Sequence, residues 1–426
     1  MKSPPNSLLA LVLVLTSAAC ALAQEHQPAS ERSGSFNARD YGAKCDDQAN
    51  DAAAIQAAID AAHGYAIRSG HGRGAVYIAA GFCRFGTTIR QRENVSVYGA
   101  GKNATYLKYT GRGVAWVISA ADTDSWNSLR DVALDGLGSG THGIRISRAR
   151  LVELAGVYVT RFTTAGVHIT GGGTAATPSI AVWIHHSAIW NNLGDGILSD
   201  NDNNNDIRIE NNRVGASGGT NIRHTGGQAL SWTIRGNTLE GQVGAQGPAI
   251  RARSALGWII DGNYFESQTG RPLIYFTNES PVSGGLLITG NYMSGSGTAA
   301  IEIQGASGVT IAANHVNAGP PYINFVLATT AGALSRYLIQ AGSVSGSGYT
   351  YLFRDGTTGT AYTDTLVSDV VATIGRQTFM GVTFANLGTP SNGTIVYCSD
   401  CTIAYPCAGG GTGALAKRLN GAWVCN

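Results

Sequence analysis

The chain has 426 residues and a formal net charge of +2, with only 13% charged residues where about a quarter is typical and 58 glycines, about twice the usual frequency. A 43% hydrophobic content excludes a disordered chain, the lack of a Gly-X-Y period excludes collagen, and this much glycine, at about 1 kcal/mol per helix-interior site, excludes a long helical protein. No basic stripe marks a nucleic-acid binder, so a glycine-punctuated, mostly β protein remains.

In chain order, Lys2 precedes an apolar run over 8–15 that is too short to span a bilayer, and small residues end in Ala21-Leu22-Ala23. This predicts a signal peptide over 1–23 and a secreted or periplasmic protein with no membrane span after cleavage. A lipoprotein site at Cys20 competes, but Ser17 stands where an aliphatic residue is usual. Residues 51–62, DAAAIQAAIDAA, predict a helix: Asn50 or Asp51 can cap it, and Ile55, Ala58, Ile59 and Ala62 share one face. Strands follow at 75–78 and 95–98.

A cassette, apolar-x-x-Asn-x-apolar, then recurs about every 25 residues, which indicates a solenoid. Its fourth position is Asn212, Asn237, Asn263, Asn291 and Asn314, with looser copies starting at Val132, Leu154 and Ile184 that place Asp135, Val157 and Ser187 there. A second column of apolar anchors keeps step: Ile144, Val167, Ile197, Ile222, Ile250, Ile274, Ile301 and Ile323. Strands this short gain a core only by stacking on their copies, and crossovers between parallel strands are right-handed. The expected fold is all-β: a right-handed parallel β-helix over 36–330, capped by the N-terminal helix, with a small disulfide-rich β module over 331–426.

Export leaves six of seven cysteines, an even number that favours disulfides over zinc. Cys45 and Cys83 are the expected pair in the N-terminal module, and three connectivities are open for Cys398, Cys401, Cys407 and Cys425. In the tail, Trp423 and Tyr405 are expected to fill a small core rather than touch sugar.

The stretches FNARDYGAKCDDQANDAAAIQAAIDAA, GAVYIAAGFCRF and NVSVYGAGKNATYLKY resemble the N-terminal module of the pectate-lyase-superfamily β-helix proteins, which include polygalacturonases, rhamnogalacturonases and phage tailspikes. The resemblance implies a secreted protein acting on polysaccharide, and a homotrimer if the tailspikes are the guide. It maps the polygalacturonase double-Asp motif onto Gly194-Asp195-Gly196-Ile197 and the Arg-x-Lys motif onto Arg251-Ala252-Arg253, both in the second column. It fails at Thr164-Ala165, where an Asn-x-Asp is usual, and at Thr220, where a histidine is.

Outward positions of the second column, one residue after each anchor, are Arg145, His168, Leu198, Arg223, Arg251, Tyr275 and Glu302. Stacked, they make a cationic strip with an aromatic platform, suited to an acidic glycan. The leading expectation is a glycoside hydrolase of a uronate polymer, with Asp195 as general acid, Asp200 as second carboxylate and Arg251 and Arg253 on the sugar carboxylate. A lyase is the alternative: the run SDNDNNND sets Asp200, Asp202 and Asp206 at alternate positions that suit calcium, and Arg251 or Arg223 would then be the base. A glycan-binding adhesin without catalysis is the third reading. In the first column, His185, Glu210, Arg235 and Asp261 predict a surface ion-pair ladder, and Glu240 with Glu266 a stacked acidic pair. His224 faces inward and reads as a core residue.

Overall fold

The computed structural model describes residues 33–68, 72–120, 125–171, 177–241, 247–269, 271–277, 283–296, 299–317, 324–328, 334–345, 351–355, 361–362, 366–368 and 381–426. The signal-peptide reading, with Cys20, lies outside them. So does Ile323.

In one coil, Ile207–Glu210 and Arg213–Gly215 flank a tight turn, and Ile222–His224 closes the third side. Each strand pairs in parallel with its copy one coil on, Ile209 with Ile234, Val214 with Leu239 and Ile222 with Ile250. Among the described residues these pairings build a 23-stranded sheet from the first two sides and a 12-stranded sheet from the third. The inward residues, such as Ile184, Ile209, Ile234, Ile260 and Ile288, are wholly buried in one continuous core. Parallel pairing continues past residue 330, through Leu334–Ser345 and Tyr351–Asp355.

The cassette asparagine has a mechanical cause. The residue before it takes a left-handed backbone at Asn211, Gly236, Gly262, Gly290 and Ala313, which is why glycine recurs there. The turn leaves the next amide facing the interior, and the neighbouring coil's side chain satisfies it. Asn212, Asn237 and Asn263 each donate from the backbone N–H, at 2.9–3.0 Å, and from Nδ2, at 3.0 Å, to Oδ1 of the asparagine one coil on. Only an amide both donates and accepts in the same step, so the column propagates as a buried ladder.

Two frames differ from the sequence reading by three residues. Leu129 pairs with Leu154, so the copy before the asparagines is Leu129-Arg130-Asp131-Val132 rather than one starting at Val132. Asp131, at φ 57°, makes the turn there. Likewise Ile301 pairs with Val326 instead of Ile323. The first shift falls where no cassette asparagine fixes the frame, and the second follows the last cassette, at Asn314.

The cap helix spans Ala52–Arg68, beyond the expected Ala62. Tyr65 extends its packing face by meeting Phe36 edge-on at 6.1 Å. Asn50 Oδ1 accepts the Ala52 N–H, while the buried Asp51 carboxylate accepts the Lys44 and Cys45 N–H groups instead. That places Cys45 against Cys83, and the expected disulfide is present across 38 residues. A loop of that length gives about 4 kcal/mol in the chain-entropy account. The Cys45→Ala/Cys83→Ala double variant is therefore expected to melt well below the parent protein in non-reducing buffer. A matching melting curve would show that the helix covers the first coil without the staple.

A second compact unit spans Val370–Asn426. Ile395–Cys398, Ala414–Leu419 and Ala422–Cys425 form a three-stranded antiparallel sheet, pinned by Cys398–Cys401 and Cys407–Cys425. Trp423 is buried and donates its indole N–H to Gly388 O at 2.9 Å, as a core residue should. Tyr405 is 71% exposed, which corrects the expectation that it fills that core.

Candidate functional site

The third-side sheet carries the outward row in the expected register: Arg145, His168, Leu198, Arg223, Arg251, Tyr275 and Glu302 are neighbours on successive coils. Alternation explains it, because the wholly buried anchors fix one face inward and send the next residue out. Part of the row lines a cleft of about 350 Å³ with Asp195, Thr220, Arg223, Arg251, Arg271, Tyr275 and Glu302. Pro248 and Pro272 form its shoulders.

Asp195 is held from two sides. Its Oδ1 accepts the Thr220 N–H at 2.8 Å, and Oδ2 meets Arg223 Nη1 at 3.4 Å. Gly219 leaves the room this needs, since a Cβ there would sit 2.4 Å from Oδ1. Only 6% of Asp195 is exposed, and burial raises its pKa above the ordinary value of 3.8, outweighing the Thr220 N–H, Arg223 and Arg251, which all favour the anion. Arg223 Nε is buried without a hydrogen-bond partner, a donor that a ligand carboxylate would satisfy. Arg251 lies over the Tyr275 ring at 5.5 Å, which orients its guanidinium. Burial also raises the pKa of Glu302, against the opposing charge of Arg271.

Asp200 goes elsewhere. Its Oδ2 is 2.8 Å from Nε2 of the buried His168, a close contact rather than an aligned hydrogen bond. Burial alone would raise the Asp200 pKa, but His168, Thr170 and Arg145 together hold it below its ordinary value. Arg145 Nε donates to His168 Nδ1 at 3.4 Å, and His142 stacks on His168 at 4.8 Å with its pKa pushed down to about 4, first by burial and then by His168 and Arg145. Asp195 and Asp200 are thus not brought together. They occupy opposite ends of one strand, about 16 Å apart at about 3.3 Å per residue. Arg253 is absent from the lining of the Asp195 cleft, although it faces outward two residues after Arg251.

The expected calcium ligands do not converge. Asp200 pairs with His168, Asp202 Oδ1 accepts the Gly227 N–H, and Asp206 Oδ1 pairs with Arg208 at 3.2 Å. Among the described residues the carboxylate and cysteine groups close enough to hold an ion are the two sets around disulfides, Cys45–Cys83 and Cys398–Cys401. Asn204, in the same polar run, is buried, donates to Ile169 O and accepts the Ser179 N–H, so the run is a structural turn. The first-column row is in register, with Arg235 bonded to Asp261 at 2.9 Å and His185 to Glu153 at 2.9 Å. Glu240 stacks on Glu266, but Arg213 neutralises it from 3.1 Å. His224 is buried and satisfied by Ser199 Oγ and Gly227 O.

Sequence reasoning missed Arg271, which reaches the cleft from the turn before Pro272 rather than from the strand. It also missed His142, which shares a row with Ala165 and Asp195. The turn segment R-P-L-I ahead of the Ile274 anchor was the available signal for Arg271.

The family model described as rhamnogalacturonase A/epimerase, pectate lyase-like, matches residues 35–272, more than half the chain. The chain belongs to that family. Mannuronan C5-epimerase AlgE3 of Azotobacter vinelandii is 36% identical over 113 residues, a match covering 24% of this chain and only 6% of the epimerase. Among solved structures, the A-module of mannuronan C-5 epimerase AlgE6 from Azotobacter vinelandii superposes with a TM-score of 0.57 at 19% identity, covering 77% of this chain and 91% of that one. The catalytic unit of an α-1,3-glucanase from Streptomyces thermodiastaticus gives 0.54 at 17% identity, covering 78% and 67%. These structural likenesses establish the shared β-helix. Among the described residues no helix is long and apolar enough to cross a membrane.

Proposed function

We propose that this family member is an exported enzyme acting on a uronate-containing polysaccharide, and that it removes the proton beside the sugar carboxylate in the Asp195 cleft. The observation that carries the reading is one buried carboxyl, held by a backbone N–H and a guanidinium, in a cleft that also presents Arg251, Arg271 and Tyr275. Arginine forks suit a planar carboxylate, and a carboxyl with a raised pKa is the stronger base. Hydrolysis by a carboxylate pair needs a partner about 5 Å or 6.5–9.5 Å away. Glu302, the other acid in the cleft, is four coils along the row from Leu198 of the Asp195 strand, about 19 Å at about 4.8 Å per coil. The relatives named mannuronan C5-epimerases support the same substrate class and the same carbon.

The proton removal uses this chain's own groups. Asp195 takes the C5 proton, and the C–H electron pair moves into the sugar carboxylate, where Arg251 and Arg271 neutralise the developing charge. The pair then either expels the C4 oxygen, which takes a proton from solvent water and leaves an unsaturated sugar, or takes a proton from solvent water on the other face of C5 and inverts it, and Asp195 releases its own proton to solvent. The arginines supply the charge that calcium would supply in the lyase alternative.

Incubation with mannuronan and with polygalacturonate in D2O tests this. Expected products are deuterium at C5 or the ultraviolet absorbance of an unsaturated end. New reducing ends without either establish hydrolysis and overturn the reading, and binding with no product assigns the chain to the adhesins. Light scattering of the same preparation distinguishes a monomer from a tailspike-like homotrimer.

A further inference from the structure

Toward the cap end, the same sheet opens into a second cleft, of about 590 Å³, that no part of the proposed chemistry uses. Its lining carries Arg90, Arg92, Arg145, Arg148 and His63 against a single acid, Glu93. Arg92 is partly neutralised by Asp60 at 3.3 Å, and His63 is tied through Nδ1 to Glu93 O at 3.0 Å. Arg90, in the middle of the strand Ile89–Gln91, and Arg92, just after it, are exposed, and Gln56 Oε1 of the cap helix accepts the Arg90 N–H at 2.8 Å, fixing the backbone from which Arg90 projects. The cleft is therefore a fixed, net-cationic concavity in a chain whose overall charge is only +2, which makes the local excess a feature of this face.

The two clefts share one row. Arg90, Val117, Arg145, His168, Leu198, Arg223 and Arg251 are register neighbours on successive coils. Arg90 and Arg251 are therefore about 29 Å apart at about 4.8 Å per coil, with the nearer edges, Arg145 and Arg223, about 14 Å apart. Between them lie the buried His168 and the half-buried Leu198, and the one exposed carboxylate beside that path, Asp200, is set against His168 at 2.8 Å and offset by Arg145.

We propose that the cap-end cleft is a second binding site for the same anionic sugar chain, engaged only by polymers long enough to reach it from the Asp195 cleft. The inference rests on the uronate reading above and adds a chain-length requirement to it. Once one end is held, the second contact is intramolecular, so its arginines raise the affinity of long chains and leave short ones untouched.

The test titrates the full chain, under conditions without turnover, with short and long size fractions of oligomannuronate and oligogalacturonate. The parent protein is expected to bind the long fraction at least about tenfold more tightly than the short one. Arg90→Gln/Arg148→Gln is expected to erase that ratio while short-fraction binding and melting temperature stay as in the parent, and the single reversal Arg90→Glu is expected to lower it. A ratio that survives both variants overturns the second site, and so does an equal loss for short and long chains. If the parent binds neither fraction, the uronate reading itself fails along with this one.

Discussion

Asp195→Asn is expected to lower turnover of the polysaccharide by about 10²–10⁴-fold, the usual worth of a positioned proton-transfer group, and yet to melt higher than the parent at neutral pH. The two effects share a cause. Burial is the main influence on this carboxyl and favours its neutral form, so the folded state binds the proton more tightly than the unfolded chain does. The parent therefore loses stability as pH rises from the ordinary aspartate value of 3.8 through the raised folded value, whereas asparagine, which keeps an acceptor for the Thr220 N–H, has no such loss. The stability advantage of the variant should open above pH 3.8 and close below it. The rate of the parent should rise with pH along a limb displaced upward from 3.8, because the base works ionised. Thermal melts and rate profiles across acidic pH check both signs, and a variant of full activity, or one that melts lower at neutral pH, contradicts the assignment.

The largest stability effect is expected inside the solenoid, at Asn237. Its Oδ1 accepts the Asn212 N–H at 2.9 Å and Asn212 Nδ2 at 3.0 Å, and its Nδ2 donates to Ile209 O at 2.7 Å and Asn263 Oδ1 at 3.0 Å. Asn237→Ala strands the buried Asn212 N–H and Ile209 O, whereas Asn212 Nδ2 keeps Ile184 O and Asn263 Oδ1 keeps the residue-237 N–H; at about 1–3 kcal/mol for each of the two groups left unsatisfied the total is roughly 2–6 kcal/mol. Two residues away, Arg235→Ala removes a partly exposed ion pair with Asp261 and is expected to cost about 0–1 kcal/mol. Denaturant midpoints of the two variants separate the ladder from the surface. Equal shifts would mean that the asparagines are incidental to the coil.

The same ladder explains what the sequence reveals. A buried amide that must meet its copy every coil forces asparagine at a fixed place, so the period, the frame and the inward and outward faces are all readable from residue 209 to 316. Where valine or serine replaces it, at Val132, Val157 and Ser187, the frame is loose, and the first copy is misread by three residues. The groove row is legible because alternation puts Arg223, Arg251 and Tyr275 outward once their anchors are known. Alternation does not report distance along a strand, and so it joins Asp200 to Asp195 when they belong to opposite strand ends and different partners. Acidic residues at alternate positions suggest a metal until each is seen to have its own donor, as Asp202 and Asp206 do. Arg271 is invisible to a strand pattern because a turn delivers it.

In the proposed function the Asp195 cleft holds a sugar carboxylate on its arginines. Calorimetric titration of Asp195→Asn with short oligomannuronate and oligogalacturonate, in the presence and absence of Arg251→Gln, tests it most directly. Loss of a charge-assisted pair, about 1.5–3 kcal/mol, predicts binding weakened by roughly 10–150-fold in the double variant. Equal affinity with and without Arg251 would place the sugar somewhere else on the protein.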